Sequence, residues 1–385
     1  MCKKRALALV FLLSLAMNIL VLVLDVVPTI YPKLQSKFLP EKTLIDQSFN
    51  ESIIADLVYR EGLKMLFSEQ PIMSFSENVG FTNRLLNYRS KTSKKEFRLN
   101  NYPRSFLMKG GFDYAQSYEK DVNQIVEYFD KEISNLEYKI KRIDQAPLGI
   151  VSLELYKKTK NKKYLDFADE VFAYISSLQD QSGIITYRRN QISVLNDTYG
   201  LAIPFLVLYG ETRDEQAIEM ARKNLKFYLD YGLSNSGIPS HGVNKDSLTP
   251  VGSSNWGRGI GWFALGLSSF HAATGEFAEE YEALIATLDN LKNNDGLWGQ
   301  FPGSKDDFDA SASLLFIYAQ LLSQPCLYDS DKLVKKFSPY INNEGKVLRT
   351  SGDTYSANYY SKTFGRSELS QGLFLSVLSE LNRCD

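Results

Sequence analysis

Three aspartates, a histidine and one tryptophan–arginine run carry the chemistry this sequence could do. Asp144, Asp197 and Asp309 sit in Ile143-Asp144-Gln145-Ala146-Pro147, Asn196-Asp197-Thr198-Tyr199-Gly200 and Asp307-Phe308-Asp309-Ala310-Ser311. Each stands where a helix is about to begin, and an aspartate there can cap the helix by accepting from free backbone N–H groups. Two such carboxylates brought close together can also divide into an acid and a base. The helix dipole lowers both pKa values, whereas burial and a like-charged neighbour raise one. Capping explains any one of the three. It does not explain why they gather with Trp256, Trp262, Trp298 and His241, which lies in Pro239-Ser240-His241-Gly242.

The densest stretch is Ser254-Asn255-Trp256-Gly257-Arg258-Gly259-Ile260-Gly261-Trp262-Phe263-Ala264. Tryptophan faces are stacking platforms for sugars, and an arginine among them can grip a carboxylate with two parallel hydrogen bonds. The run reads either as a ligand-facing loop feeding a buried helix or as a Gly-rich packing turn between helices. The chain has only one other histidine, His271, near the end of an apolar stretch, where it reads as a packing residue. Two histidines in all argue against a histidine acid/base pair. No Cys/His cluster has zinc-ligand spacing, so no metal is expected.

The elements that must position these residues form a repeat. Gly183, Gly237, Gly296 and Gly345 each follow Ser, Asp or Glu, at intervals of about 50–60 residues, the range in which repeated supersecondary units occur. Each was expected to be a left-handed glycine at a helix C-terminus. Before each glycine runs a striped segment such as Tyr164–Phe172, and before that an all-round apolar one such as Leu148–Tyr156. A striped helix faces water on one side and an apolar one is buried. The repeat therefore predicts inner helices starting near Ser105, Pro147, Asp197, Trp256, Asp309 and Arg366. Outer helices are predicted near Thr43, Glu119, Lys163, Asp214, Glu276 and Asp329. Six inner–outer pairs make an all-α six-hairpin (α/α)6 barrel over residues 43–385, with the starts of the inner helices gathered at one mouth.

Residues 28–42, with Pro28, Pro32 and Pro40, read as a linker. Residues 68–102 read as a long irregular stretch with a basic patch at Lys91–Arg98. Residues 1–27 read as an N-terminal transmembrane signal anchor, with a cleaved signal peptide as the alternative. Ala6 to Leu24 is almost wholly apolar behind Lys3-Lys4-Arg5, which places Met1 on the cytoplasmic side and the barrel outside the cytoplasm. Cys326 and Cys384 can pair or stay as free thiols. The 385 residues carry 44 basic and 45 acidic side chains, so no electrostatic case exists for a nucleic-acid partner.

Taken in order, Ile143-Asp144 with Gly149, Asn196-Asp197 with Pro204-Phe205, Ser240-His241, Asn255–Trp262, Leu297-Trp298-Gly299-Gln300 and Ser311-Ala312-Ser313 resemble the unsaturated glucuronyl and rhamnogalacturonyl hydrolases, glycoside hydrolase families 88 and 105. The resemblance runs from about Tyr138 to Leu381. It implies the six-hairpin barrel and a substrate oligosaccharide ending in a C4=C5 unsaturated uronate. It implies hydration of that vinyl ether, with no cofactor. By the same resemblance Asp197 is the general acid and base, Asp144 assists, and His241 positions substrate or water. Arg258 is assigned to the uronate carboxylate from its charge and its fork geometry, and Trp256, Trp262 and Trp298 to the sugar site. Two other functions fit the same barrel: a non-catalytic glycan-binding protein of polysaccharide assembly, and a hydrolase of saturated polymer using Asp144 and Asp197 as a conventional carboxylate pair.

Overall fold

The computed structural model describes residues 2–23, 45, 49–68, 101–134, 139–304, 308–354, 356–361 and 364–384. The expected linker, the start of the first outer helix near Thr43 and most of the irregular stretch, with its Lys91–Arg98 patch, lie outside them.

Among the described residues the chain is built from thirteen α-helices. After α1 (Cys2–Val21) come α2 (Glu51–Phe67), α3 (Tyr102–Ser117), α4 (Asn123–Ile133), α5 (Ala146–Thr159), α6 (Lys162–Ser176), α7 (Asp197–Thr212), α8 (Gln216–Tyr231), α9 (Gly257–Thr274), α10 (Ala278–Asp289), α11 (Ala310–Ser323), α12 (Ser330–Phe337) and α13 (Glu368–Leu381). The odd-numbered helices from α3 onward pack on one another in sequence, and α13 packs back on α3. They form a closed inner ring. Helix α2 packs against both α13 and α3 and so covers the seam.

Apolar pattern decides which ring a helix joins. Every residue of α13 is buried, as an inner helix requires. In α6 only Tyr164, Phe167, Ala168, Val171 and Ile175 are buried, one stripe at helical spacing. The glycines of the tryptophan run let inner helices approach closely: a Cβ on Gly257 would stand 2.9 Å from the Ala312 Cβ, and one on Gly261 would stand 2.6 Å from the Leu315 Cβ.

The four repeat glycines do have positive φ, 70–85°, but not at helix ends. Gly183 lies beyond the end of α6 at Ser176, in a tight hairpin where Gly183 N donates to Asp180 O and Asp180 N donates to Ile184 O. The same pair of bonds recurs around Gly237, Gly296 and Gly345. Each of α6, α8, α10 and α12 thus runs through a hairpin turn before the chain climbs to the mouth. Regular strands are short: β1 (Ser193–Leu195), β2 (Gly242–Asn244) and β3 (Thr249–Val251) form one antiparallel sheet, and β4 (Thr350–Ser351) pairs with β5 (Phe364–Gly365).

The expected membrane-spanning helix is not supported: among the described residues, no helix is long and apolar enough to cross a membrane. Helix α1 (Cys2–Val21) opens on the basic residues 3–5. Its apolar side chains, Leu7 and Phe11 among them, are exposed.

Two contacts secure the ring. At the mouth end, Arg104 of α3 grips Glu368 of α13, with Nε donating to Oε2 at 3.1 Å and Nη2 to Oε1 at 2.6 Å. Both side chains are fully buried, and the guanidinium also donates to Met65 O and Ser68 O at the end of α2. Away from the mouth, Cys326 and Cys384 form a disulfide that ties the chain after α11 to the chain after α13. Removing one partner of a buried ion pair strands the other charge in a low-dielectric interior, at a cost of about 3–5 kcal/mol. Glu368→Gln is expected to lose about that much stability in denaturant unfolding. The double variant Arg104→Met/Glu368→Leu, which removes both charges, is expected to recover most of it.

Candidate active site

The starts of the inner helices and the segments that follow the repeat hairpins meet at the mouth around a cavity of about 700 Å3. Asp144, Asp197, His241, Trp256 and Arg258 all line it. Trp262 and Trp298 do not. The Trp262 ring packs on Tyr102 and Phe106 at 5.7 and 5.1 Å. Trp298 donates from Nε1 to Leu288 O at 2.8 Å and packs its ring on Phe316. Both belong to the core, where a large apolar ring is better buried than exposed.

Strand register brings the first pair together. β1 lies antiparallel to β2 with Leu195 opposite Gly242. Asn196 N then donates to His241 O at 3.0 Å, and Asn196 Nδ2 donates to Ser240 O at 3.0 Å. Asp197 opens α7 without capping it, and its Oδ2 stands 3.3 Å from His241 Nε2. On the other side of the imidazole, Nδ1 faces Ala357 O at 3.2 Å and the Tyr360 hydroxyl at 3.1 Å. The hydroxyl gives its own proton to Ala357 O and accepts from Ser253 N. Both neighbours can therefore only accept, so Nδ1 carries the hydrogen. In the neutral ring Nε2 presents a lone pair to Asp197, and one proton can be held between the two. The ring also packs against Trp256, tilted by 41° with centroids 4.4 Å apart.

Asp144 does not cap α5 either. It lies in the short 3-10 turn Ile143–Gln145, buried, and its Oδ1 accepts from the Tyr187 hydroxyl at 2.5 Å. Burial pushes its pKa up to about 6; the negative charges of Asp197 and Asp353 add to the rise, while the Tyr187 hydrogen bond and Arg142 oppose it. Asp353 is a third carboxylate in the cavity, hydrogen-bonded by the Tyr102 hydroxyl. Its pKa is also raised, by burial first and then by Asp197, against the pull of Arg258 and Tyr102. Only Asp309 behaves as a helix cap, accepting from Ser311 N at 2.9 Å. It is wholly buried, and its second oxygen takes the Ser351 hydroxyl at 2.5 Å, which fixes the strand leading to Asp353.

Arg258 lines the cavity from within its wall. Its guanidinium is 1% exposed and donates to Ser351 O at 3.0 Å and Gly352 O at 2.6 Å, with Asp353 at 3.9 Å. Its fork holds a loop of the cavity wall. His271 packs as expected, stacked on Tyr281 with Nδ1 3.0 Å from Glu276 O. Among the described residues no cluster of His, Cys, Asp and Glu has the arrangement of a metal site.

Sequence reading missed Tyr102, Tyr187, Asp353, Tyr360 and the arginines Arg142, Arg188 and Arg189, all at or beside the cavity. One signal was available. Tyr187 lies four residues past Gly183, as His241 lies four past Gly237, so equivalent points of the repeat deliver side chains to the mouth. Asp353 lies far from any helix start, and only folding brings it near.

A protein-family model described as Glycosyl Hydrolase Family 88 matches residues 80–384, and the chain belongs to that family. It is a glycoside hydrolase. No curated protein matches the sequence. Among solved structures, a possible member of the GH105 family from Salmonella enterica subsp. enterica serovar Paratyphi A aligns at TM-score 0.70 and 15% identity, over 88% of this chain and 95% of that one. The unsaturated glucuronyl hydrolase from Bacillus sp. GL1, responsible for glycosaminoglycan degradation, aligns at 0.63 and 15%, over 86% and 96%. At these identities the likeness is one of fold.

Asp144 supplies a pH test. Its carboxyl titrates near 4 in an unfolded chain and at about 6 in the fold. The folded protein therefore binds the extra proton between those values. The resulting stabilisation is complete below about pH 4 and lost as pH rises to about 6, a change of about 3 kcal/mol. Denaturant unfolding between pH 4 and 7 should show wild-type stability falling relative to Asp144→Asn by that amount. Parallel curves would remove the assigned shift.

Proposed function

We propose that this glycoside hydrolase acts on oligosaccharides ending in a C4=C5 unsaturated uronic acid, by hydration of the vinyl ether. The observation that carries the reading is the Asp197–His241 pair. Asp197 has one oxygen against a lone-pair nitrogen of fixed tautomer and its carboxylate partly open to the cavity, 19% exposed. A carboxyl so placed can deliver a proton and then take one back.

In this scheme Asp197 gives its proton to C4, and the positive charge that develops at C5 is shared with the ring oxygen. Water adds at C5 and returns a proton to Asp197. The hemiketal opens to a ketone, C1 is left as a hemiacetal, and its collapse releases the aglycone sugar. One water is consumed and the acid is regenerated. His241 positions Asp197 and buffers its charge. Asp144, held by Tyr187, sits beside it as a second carboxyl whose charge is suppressed by burial. Trp256 borders the cavity with its ring almost wholly buried against His241 and Tyr360, and so backs the imidazole from behind. The scheme routes no step through a metal or cofactor.

The purified enzyme is expected to abolish the ultraviolet absorbance of an unsaturated uronyl disaccharide. Asp197→Asn is expected to lower kcat by at least about a hundredfold, the usual worth of a general acid, with the fold unchanged by circular dichroism. Turnover surviving that substitution would refute the role of Asp197. The disulfide supports a location of the barrel outside the cytoplasm, where such bonds persist. Maleimide labelling of Cys326 and Cys384 in protein taken directly from its producing cells should then appear only after reduction.

A further inference from the structure

A second concavity, of about 770 Å3, lies outside the mouth and shares no lining residue with it. Three elements frame it: one face of α8, the hairpin 180–184 that follows α6, and the turn 245–248 between β2 and β3. Strand β2 begins next to His241, so the turn starts about 13 Å from that histidine at roughly 3.3 Å per strand residue. On α8, Phe227 and Tyr231 stand on successive turns with their ring centroids 5.4 Å apart. Tyr231 is 40% exposed and Leu248, on the facing turn, 42%. Leu248 is held at φ 56°, a left-handed conformation unfavourable to any residue but glycine. That strain presents an apolar side chain to water instead of burying it, so core packing does not account for it.

The polar groups around these rings define the class of ligand. Lys245 pairs with Asp180 at 2.9 Å, Lys226 with Asp230 at 3.4 Å, and Arg222 with Glu219. One cation, Lys223, and one acid, Asp246, are left over; among the described residues neither has an oppositely charged side chain within 4.0 Å. The Lys223 ammonium lies over the hairpin, 3.0 Å from where a Cβ on Gly183 would stand. The charges of the groove therefore balance, and it has no net field with which to select an ion. Gln181 and the Tyr231 hydroxyl, which can each donate and accept, complete the wall. Free donors and free acceptors around two aromatic faces match a ligand whose hydroxyls do both and whose C–H faces are apolar, which is a neutral sugar.

We propose that this groove is a second, non-catalytic saccharide site, which holds an uncharged stretch of the glycan on which this glycoside hydrolase works. A chain held there raises the effective concentration of its end near the mouth. The site uses no residue of the mouth and does not depend on the reaction proposed above.

The test uses the full chain carrying Asp197→Asn, so that the result is independent of turnover. Linear hexasaccharides of glucose, galactose, mannose and xylose, with one of galacturonic acid as the acidic counterpart, are titrated by calorimetry. At least one neutral chain is expected to bind with a Kd of about 1 mM or tighter, equally at low and high salt. Adding Tyr231→Ala is expected to weaken that binding at least about tenfold, and Tyr231→Trp to keep it, both with the melting temperature unchanged. Binding of none of the neutral chains, binding that survives Tyr231→Ala, or a salt-sensitive preference for the galacturonate chain would overturn the site. So would a dimer in sedimentation that Tyr231→Ala dissociates, since a second copy would then be what covers the groove.

Discussion

The barrel depends on closing its inner ring, and the fork of Arg104 on Glu368 is the contact that does so. It joins the first inner helix to the last, across residues 264 positions apart in the chain, and takes the backbone end of the covering outer helix into the same grip. A purely apolar seam would close as well in energy, since desolvating two charges consumes much of what their attraction returns. What the fork adds is geometry. Two parallel N–H···O bonds define the rotation and height of α13 against α3. Both helices start at the mouth, so an error there would displace Tyr102 and the loop that carries Asp353.

At the mouth the governing constraint is the crowding of three carboxylates around one cavity. Such groups cannot all ionise freely, and the protein answers each differently. Asp144 is given a tyrosine hydroxyl and a raised pKa. Asp353 is given a tyrosine hydroxyl and a neighbouring guanidinium. Asp197 is given an imidazole whose lone pair faces it. Arg258 supports a backbone loop of the cavity wall, because a guanidinium buried this deeply spends its donors on the acceptors that surround it.

Helix α1 stands apart from this economy. Its described apolar side chains are exposed, and among the described residues no helix is long and apolar enough to cross a membrane. The disulfide at the opposite end of the chain holds the C-terminal residues against the loop after α11, so the last inner helix is secured at both ends.

The sequence by itself determined the class and order of the helices. Period and stripe width are local properties, and they separated the apolar inner helices from the striped outer ones with starts close to those observed. It also singled out Asp144, Asp197, His241 and Trp256, because helix starts are visible as capping patterns and the tryptophan run is compositionally unusual. Three matters were decided only in three dimensions. Capping was a possible role for all three aspartates, and only the packed structure shows that Asp309 caps while the other two face the cavity. Trp262 and Arg258 belong to the same short run as Trp256, yet helix rotation turns one into the core and burial commits the other to backbone carbonyls. Asp353 and Tyr360 carry no local signature, since their meaning lies in partners 119 to 251 residues away. Periodicity reports which face of a helix is buried; it does not report which distant loop lies against that face.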